Sequence, residues 1–233
     1  MKSFDKLCLR FALAPAALIA LLMPAPAGHA QNGKTTISSG YLCCNMRVYD
    51  DWISDINYRF DGTAIIPFGT RAWVKGEGRY SFTLAMAGKT RSLGNDYSRS
   101  LSGEAFLRRY LVKTSPREKI HTWEPDIQDA VRHMRVMIGM TEEQVLTAIG
   151  YPPHNYTPDL KAPVWQYWLD RSSQFDLHWD KQRRLRRIKS DSLTRRKVTW
   201  RPRVKPAPVM PAPQSTETHQ SLRNSLSFAN TVR

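Results

Sequence analysis

The side chains of this sequence do not have the types and spacing of a familiar catalytic or metal site. There is no GxSxG, HExxH, P-loop or CxxC motif. The six histidines are scattered, and His121 and His133 fall on separate expected elements. Asp50 and Asp51 are adjacent carboxylates, but neighbouring side chains of a strand point to opposite faces, which favours a solvated turn. We therefore expect a protein that is not an enzyme and holds no metal or cofactor.

Cysteine chemistry is limited to one adjacent pair. Of the three cysteines, Cys8 lies in the first ten residues and the other two are Cys43 and Cys44. The simplest interpretation of the pair is two small buried hydrophobic side chains. A vicinal or intermolecular disulfide is the main alternative in an oxidising compartment. A soft-metal site with Met46 needs more ligands than the sequence offers nearby.

Positive charge is the strongest chemical signal in the chain. The formal net charge is +15, and the segment from Lys181 to Lys205 carries twelve Lys or Arg residues against one acid, Asp191. Such a run attracts polyanions, and we expect anionic lipid or lipopolysaccharide rather than nucleic acid, because the protein is expected to be exported. A solvated basic tail without a dedicated partner is the alternative. The candidate residues for binding an anionic surface are Arg195, Arg196, Lys197, Arg201, Arg203 and Lys205.

Residues 1–30 have the pattern of a signal peptide. A positive start with Lys2, Lys6 and Arg10 precedes an apolar run, Phe11 to Met23, that is too short to span a bilayer comfortably. Cleavage after Ala30 is expected, with an uncleaved anchor as the alternative. No cysteine follows the apolar run directly, so we expect a periplasmic or secreted protein and not a lipoprotein.

The clearest local structural signal is a short helix within residues 138–153. Thr141 and Gln144 have the spacing of a capping box, and Glu142 and Glu143 lie where the helix dipole favours acids. Gly150 is expected to take a left-handed conformation at the end of the helix, and Pro152 then prevents its continuation.

The elements around this helix predict a compact α+β unit at residues 124–189. Residues 125–137 predict a preceding amphipathic helix with Pro125 at its first position. Three short aromatic and apolar strands follow, at residues 165–168, 175–179 and 185–188. The order is two helices and then three antiparallel strands.

This unit resembles the BamE-like (SmpA/OmlA) domain of bacterial envelope proteins. The resemblance rests on Gly139, Met140, Thr141, Gln144, Val145, Gly150, Pro152, Trp165 and Tyr167. It implies a two-helix, three-strand fold, and a role in outer-membrane assembly or protein binding in the envelope. The same unit also occurs in secreted inhibitors, so the resemblance supports fold and compartment better than a precise role.

The alternation in the strands predicts which side chains are buried. The odd positions Trp165, Tyr167, Phe175, Leu177 and Trp179 should pack on the helices, and the even positions should face solvent. Trp168 and His178 are therefore the candidate protein-binding residues, since an exposed Trp is a frequent binding hot spot.

Residues 31–115 predict a β-rich module with one short helix. Short alternating segments separated by Gly turns, with expected strands at residues 41–48 and 52–60, suggest a small barrel or curled sheet. Ser102 is placed to cap a helix at residues 104–112. The turn Ile66-Pro-Phe-Gly-Thr70 resembles, weakly, a turn of bacterial SH3-like modules, some of which bind cell-wall peptides.

The remaining segment, residues 190–233, is rich in basic residues and Pro. This composition predicts a disordered tail that buries little apolar surface, so that its removal should leave the fold intact. The sequence as a whole predicts an exported, non-enzymatic adaptor that binds envelope proteins, with outer-membrane assembly factors among the candidates. An inhibitor-like binding protein and a cell-wall-binding module are the alternatives. The oligomeric state is not predicted.

Overall fold

The structure is a computed structural model that describes residues 36–59 and 61–202, and within them it is a mixed α+β fold. The first part, up to residue 112, contains eight strands and one helix among the described residues. These elements are β1 (Ser39–Leu42), β2 (Met46–Val48), β3 (Trp52–Ser54), β4 (Ala64–Ile66), β5 (Arg71–Glu77), β6 (Ser81–Met86), β7 (Lys89–Gly94), α1 (Gly103–Tyr110) and β8 (Leu111–Val112).

The second part, from residue 117 onward, contains four helices and three strands among the described residues. They are α2 (Arg117–Ile120), α3 (Pro125–Arg132), α4 (Glu142–Ile149), β9 (Val164–Trp168), β10 (Gln174–Trp179), β11 (Leu185–Lys189) and α5 (Ser192–Val198). The expected signal peptide, residues 1–30, lies outside the described residues. Within residues 36–59 and 61–202, no helix is long and apolar enough to cross a membrane.

The first part is organised around a six-stranded sheet with the order β3-β7-β6-β5-β1-β8. All neighbours are antiparallel except β3 and β7, and β2 pairs separately with β4. Helix α1 is capped by the Ser102 hydroxyl, which accepts from the Ala105 N–H as predicted. Its Phe106 stacks on Phe82 of β6 with ring centroids 6.0 Å apart, and this contact closes the first core.

Two strands of the first part are shorter than the sequence predicts. The expected strand at residues 41–48 is broken at residues 43–45, where a disulfide joins Cys43 and Cys44. The interpretation of the pair as two free hydrophobic side chains is therefore wrong in this structure. The expected strand at residues 52–60 keeps only the three residues of β3, because Asp55 and Asn57 turn the chain with side-chain hydrogen bonds to distant backbone.

The second part has the predicted order of two helices followed by an antiparallel sheet, β11-β10-β9. The odd register is confirmed: Trp165 and Leu177 are fully buried, and Tyr167, Phe175 and Trp179 are nearly so. Trp165 packs edge-to-face on Trp179 with centroids 4.6 Å apart and donates from Nε1 to the Leu160 carbonyl. The even positions Trp168, Asp176 and His178 are half-buried rather than open to solvent.

The capped helix forms as expected, with small corrections at its neighbours. Gln144 donates its N–H to Thr141 Oγ1 and accepts the Thr141 N–H at its Oε1, completing the capping box. Gly150 has the expected positive φ of 84°, but its ψ of −176° is extended rather than left-handed helical. Helix α3 begins at Pro125 but ends at Arg132, five residues before the predicted end, where Met134 adopts a φ of 51° and redirects the chain.

The prediction of a disordered tail from residue 190 is wrong for its first part. Asp191 caps helix α5 by accepting the N–H groups of Leu193 and Thr194. Val198 of α5 is buried in the same core as Trp165. The segment after α5 pairs with the chain beyond α3, since Val136 donates to Val198 and Trp200 donates to Val136. Residues 203–233 lie outside the described residues.

The two parts are packed against each other along one junction. Phe68 of the first part belongs to the core of the second part. The buried Asn45 donates from Nδ2 to the carbonyls of Val131 and Ala148 and accepts the Phe68 N–H. Asn57 donates to Ile149, the last residue of α4. The segment after β3 and the breaks between strands therefore serve to dock one part on the other.

Candidate functional site: an aromatic cleft at the junction

A cleft of about 880 Å³ opens between the two parts of the molecule. We define the aromatic cleft by Trp52, Tyr58 and Tyr97 on one wall and the turn of residues 170–172 on the other. Trp52 belongs to β3 and Tyr58 to the segment that follows it, whereas the turn joins β9 to β10. The cleft is therefore created by the docking of the two parts.

The position of Trp52 is fixed although its side chain is 43% exposed. Its Nε1 donates to Asp96 Oδ2 at 3.3 Å, and Ser54 Oγ donates to the same oxygen at 2.7 Å. A Cβ on Gly94 would lie 2.2 Å from the Trp52 ring, so only glycine lets the indole lie against this backbone. An exposed aromatic ring held in one place binds a partner with little loss of conformational entropy.

A series of aromatic rings leads from the cleft to the predicted candidate Trp168. Tyr58 meets Tyr97 edge-on at 6.1 Å, Tyr97 stacks on Tyr156 at 6.4 Å, and Tyr156 lies 5.8 Å from Trp168. Trp168 Nε1 is buried and has no hydrogen-bond partner among the described residues. The sequence-based candidate thus lies at the end of this series and not in the cleft itself.

The second predicted protein-binding residue, His178, lies elsewhere. Trp168 is paired with Gln174 at one end of β10, and His178 is paired with Val164 at the other. The two positions are four residue steps apart along the strand, a distance of about 13 Å. The pKa of His178 is lowered below its usual value, mainly by burial and in second place by the positive charge of Arg187. The structure therefore does not bring Trp168 and His178 into one site.

The loop that supports the cleft is built around a buried carboxyl group. Asp55 is 1% exposed and accepts the N–H groups of Asp96 and Tyr97. Burial raises the pKa of Asp55 to about 6, because the loss of hydration outweighs these hydrogen bonds. Since its oxygens are occupied by the loop and do not reach the cleft, Asp55 positions the site and does not act on a ligand.

The residues of the predicted structural motif all lie in the second part, and the hydrogen bonds of their side chains stay within it. Gly139 has a φ of 91° and accepts a hydrogen bond from Arg184 at its carbonyl. Val145 and Pro152 are buried, and Tyr167 donates from its hydroxyl to the Gly150 carbonyl at 3.0 Å. These residues are structural, and none of them lines the aromatic cleft.

The predicted basic residues lie partly on α5, a helix that the sequence did not predict, and partly beyond its end. Arg195 and Arg196 are exposed on α5, and Arg201 is exposed beyond it, whereas Lys197 lines a second pocket. Arg203 and Lys205 lie outside the described residues. Within residues 36–59 and 61–202, no three His, Cys, Asp or Glu side chains are grouped to hold a metal ion.

Sequence reasoning missed the cleft because its walls are distant in the chain. Trp52 and Tyr97 are separated from residues 170–172 by more than seventy positions, and no local pattern reports such a pairing. The one available signal was Trp52, a tryptophan next to a turn, because the sequence pattern did not assign its side chain to a core. Comparison with protein families, curated proteins and solved structures found no match for this chain.

Proposed function

We propose that this chain is an exported, non-enzymatic adaptor of the bacterial envelope that holds an extended segment of a partner protein in the aromatic cleft. The observation that carries the proposal is the fixed, exposed ring of Trp52 in a cleft of about 880 Å³. Tryptophan and tyrosine are the residues that most often anchor protein–protein contacts. The resemblance of residues 124–189 to BamE-like domains, and the weak resemblance of residues 40–115 to SH3-like modules, are consistent with such a role.

The polar groups of the cleft favour a polypeptide over a glycan. Asp96 Oδ2 already accepts from Ser54 and Trp52, and Asp170 Oδ1 accepts from the Ser172 N–H and hydroxyl. Few carboxylate oxygens are left to recognise sugar hydroxyls. Both charge signs are present, with Asp96 and Asp170 against Arg99 and Arg171. A polypeptide segment with mostly apolar side chains and a few charges of both signs therefore fits the aromatic cleft better than an anionic polysaccharide.

The experiment compares two tryptophans of similar exposure. Trp52 lines the cleft, whereas Trp73 on β5 is 46% exposed and does not. A photoreactive phenylalanine analogue replaces Ser172 at the rim of the cleft, and in a second protein it replaces the exposed Leu193 of α5. Both proteins are crosslinked in envelope extracts, and the products are identified by mass spectrometry.

We expect a discrete polypeptide adduct from position 172 and not from position 193. The adduct should be lost in Trp52→Ala and retained in Trp73→Ala. The proposal is contradicted by identical products at both positions, by an adduct that survives Trp52→Ala, or by exclusively glycan products. A carbohydrate product would instead support the alternative of a cell-wall-binding module.

A further inference from the structure

A second pocket, of about 560 Å³, adjoins the aromatic cleft and is lined mainly by positive charge. We define the basic pocket by Arg47, Arg59, Arg135 and Lys197, with the His133 ring in its wall. Asp170 lines both the basic pocket and the aromatic cleft. The four cations come from four separate segments of the chain, so their grouping is a product of the fold.

The backbone holds each of these segments in place. Arg47 is the central residue of β2 and is paired with Ile65 of β4. Arg59 donates its N–H to the Leu169 carbonyl at 2.6 Å, which ties it to the turn after β9. Arg135 follows the left-handed Met134 at the end of α3. Lys197 is carried by α5, whose end is attached to Val136 by backbone hydrogen bonds.

The positive charge of the basic pocket exceeds the negative charge of its described lining. None of the four cations forms a salt bridge within residues 36–59 and 61–202. Two carboxylates, of Asp61 and Asp170, also line the pocket, so four cations face two acids there, and Asp170 Oδ1 already accepts two hydrogen bonds from Ser172. Arg47 and Arg135 are half-buried, so water hydrates them only in part.

The pKa of Arg47 shows the electrostatic cost of grouping these cations. Burial, and in second place the neighbouring charge of Arg59, lower the pKa of Arg47 to about 10. Like charges brought together in a partly dehydrated pocket repel each other. An anion with several oxygens would remove this repulsion and supply acceptors for the guanidinium N–H groups.

We propose that the basic pocket binds a phosphate or diphosphate group. Three guanidinium groups and one ammonium suit an anion with several charges and several oxygens, because arginine binds phosphate through paired N–H donors. A single carboxylate would satisfy one of the arginines and leave the others unpaired. The group can belong to a soluble phosphorylated compound or to a lipid headgroup, and the pocket chemistry is the same for both.

The proposal is independent of the peptide segment assigned to the aromatic cleft. Trp52, Tyr58 and Tyr97 do not line the basic pocket, and none of the four cations lines the cleft. Trp52→Ala should therefore leave phosphate binding unchanged. Loss of phosphate binding in a pocket variant, conversely, says nothing about the polypeptide adduct at position 172.

Helix α5 offers a matched pair of variants for the test. Lys197 and its neighbour Arg196 are both exposed on this helix, but only Lys197 lines the basic pocket. Lys197→Gln and Arg196→Gln each remove one positive charge from α5 at adjacent positions. Arg47→Gln is the third variant, and Lys197→Gln keeps the test valid if Arg47→Gln fails to fold, since Lys197 is at the surface.

The mature chain is titrated with sodium pyrophosphate by calorimetry at physiological ionic strength, and is sedimented with phosphatidylcholine vesicles that contain phosphatidic acid. We expect saturable binding with one site, a rise of the melting temperature on binding, and about tenfold weaker binding in Lys197→Gln, as for one lost charged contact. Arg196→Gln should bind like the wild-type chain.

The outcomes distinguish a specific binding site from nonspecific attraction by the positive charge of the chain. Pyrophosphate binding that depends on Lys197 supports a site for soluble phosphorylated compounds, and Lys197-dependent binding to vesicles alone supports a site for a lipid-borne phosphate. The proposal is overturned if Arg196→Gln weakens binding as much as Lys197→Gln. It is also overturned if neither pyrophosphate nor the vesicles bind saturably.

Discussion

At the scale of single residues, the structure confirms the helix cap that the sequence predicts at Thr141. Its hydroxyl accepts the Gln144 N–H, and the Gln144 side chain accepts the Thr141 N–H. Both bonds depend on residue types three positions apart, so the local sequence contains the whole motif. This is why a cap could be predicted without knowing the rest of the fold.

Thr141→Ala should lower the free energy of unfolding by about 1 kcal/mol, because the Gln144 N–H loses its acceptor. Chemical denaturation measures the change. Thr141→Ser serves as the control, since it keeps the hydroxyl oxygen and should keep most of the stability. Equal stability of Thr141→Ala and the wild-type chain would mean that the cap contributes nothing.

The buried Asp55 predicts a pH dependence of stability with a defined sign. Its pKa is about 6 in the folded chain, against 3.8 for an ordinary aspartate. Between these values the folded chain holds the proton more tightly, so stability falls as the pH rises from about 4 to about 6 and is level above. The contribution is about 3 kcal/mol, from roughly 1.4 kcal/mol per pKa unit.

Asp55→Asn cannot ionise, so this contribution disappears in the variant. The stability difference between wild type and Asp55→Asn, measured by urea denaturation between pH 4 and pH 7, should shift in favour of the variant as the pH rises. The comparison cancels the other carboxylates, which are common to both proteins. A difference that stays constant with pH would show that Asp55 is not the titrating group.

At the scale of elements, strand alternation predicted the buried face of β9 and β10 but not the state of the opposite face. Trp165 is fully buried because its odd position faces the helices. Trp168 is half-buried because Tyr156, from the loop after α4, lies against it. The alternation of a strand is enough to predict that Trp165 is buried. The partial burial of Trp168 depends on the path of a loop, which no alternation in the sequence predicts.

Trp165→Ala should cost about 3 to 5 kcal/mol of stability, because it leaves a cavity and removes the hydrogen bond to Leu160. Trp168→Ala should cost less than half of this, since its side chain is only partly buried. Thermal unfolding of both variants measures the contrast. If Trp168→Ala proves the more damaging change, the assigned register of the sheet is wrong.

Helix α5 was missed because its signals are weak when considered alone. It has seven residues, three of them consecutive bases, and Pro202 follows soon after. Only the Asp191 cap marks its start locally. Val198 and the backbone pairing of Trp200 with Val136 supply the stabilisation, and both depend on a segment more than sixty positions earlier.

A chain ending at Ser190 should therefore be less stable, by about 3 kcal/mol, through loss of buried Val198, the Trp200 stacking on His133 and two backbone hydrogen bonds. A chain ending at Pro202 keeps all of these contacts and is the control. Circular dichroism during heating distinguishes the two. Equal melting temperatures would restore the original interpretation of residues 190–202 as dispensable.

At the scale of the whole molecule, the two parts should unfold as one cooperative unit. Asn45 is 2% exposed and connects the strand break of the first part to the helices α3 and α4 of the second. Asn45→Ala leaves the Val131 and Ala148 carbonyls and the Phe68 N–H without this partner. The Val131 carbonyl still accepts the Met134 N–H, so two groups stay unsatisfied, and at about 1 to 3 kcal/mol for each the loss should be about 2 kcal/mol or more.

Scanning calorimetry tests this coupling. The wild-type chain should show a single transition with equal calorimetric and van't Hoff enthalpies. Gln174→Ala, at an exposed position, is the control. Two separate transitions in the wild-type chain would mean that the parts are independent, and then neither the aromatic cleft nor the basic pocket would be a fixed site.

The long reach of the Asn45 side chain also affects how the chain acquires its fold. Its hydrogen bonds join residues 86 and 103 positions apart, and such non-local contacts form slowly. During synthesis the amino-terminal half emerges first, and its docking groups lack their partners in α3 and α4 until those helices have been made. Until then the Asn45 amide lacks the Val131 and Ala148 carbonyls, and the Phe68 side chain lacks the core of the second part. An incomplete chain therefore exposes groups that the finished fold buries, which favours aggregation before synthesis is complete.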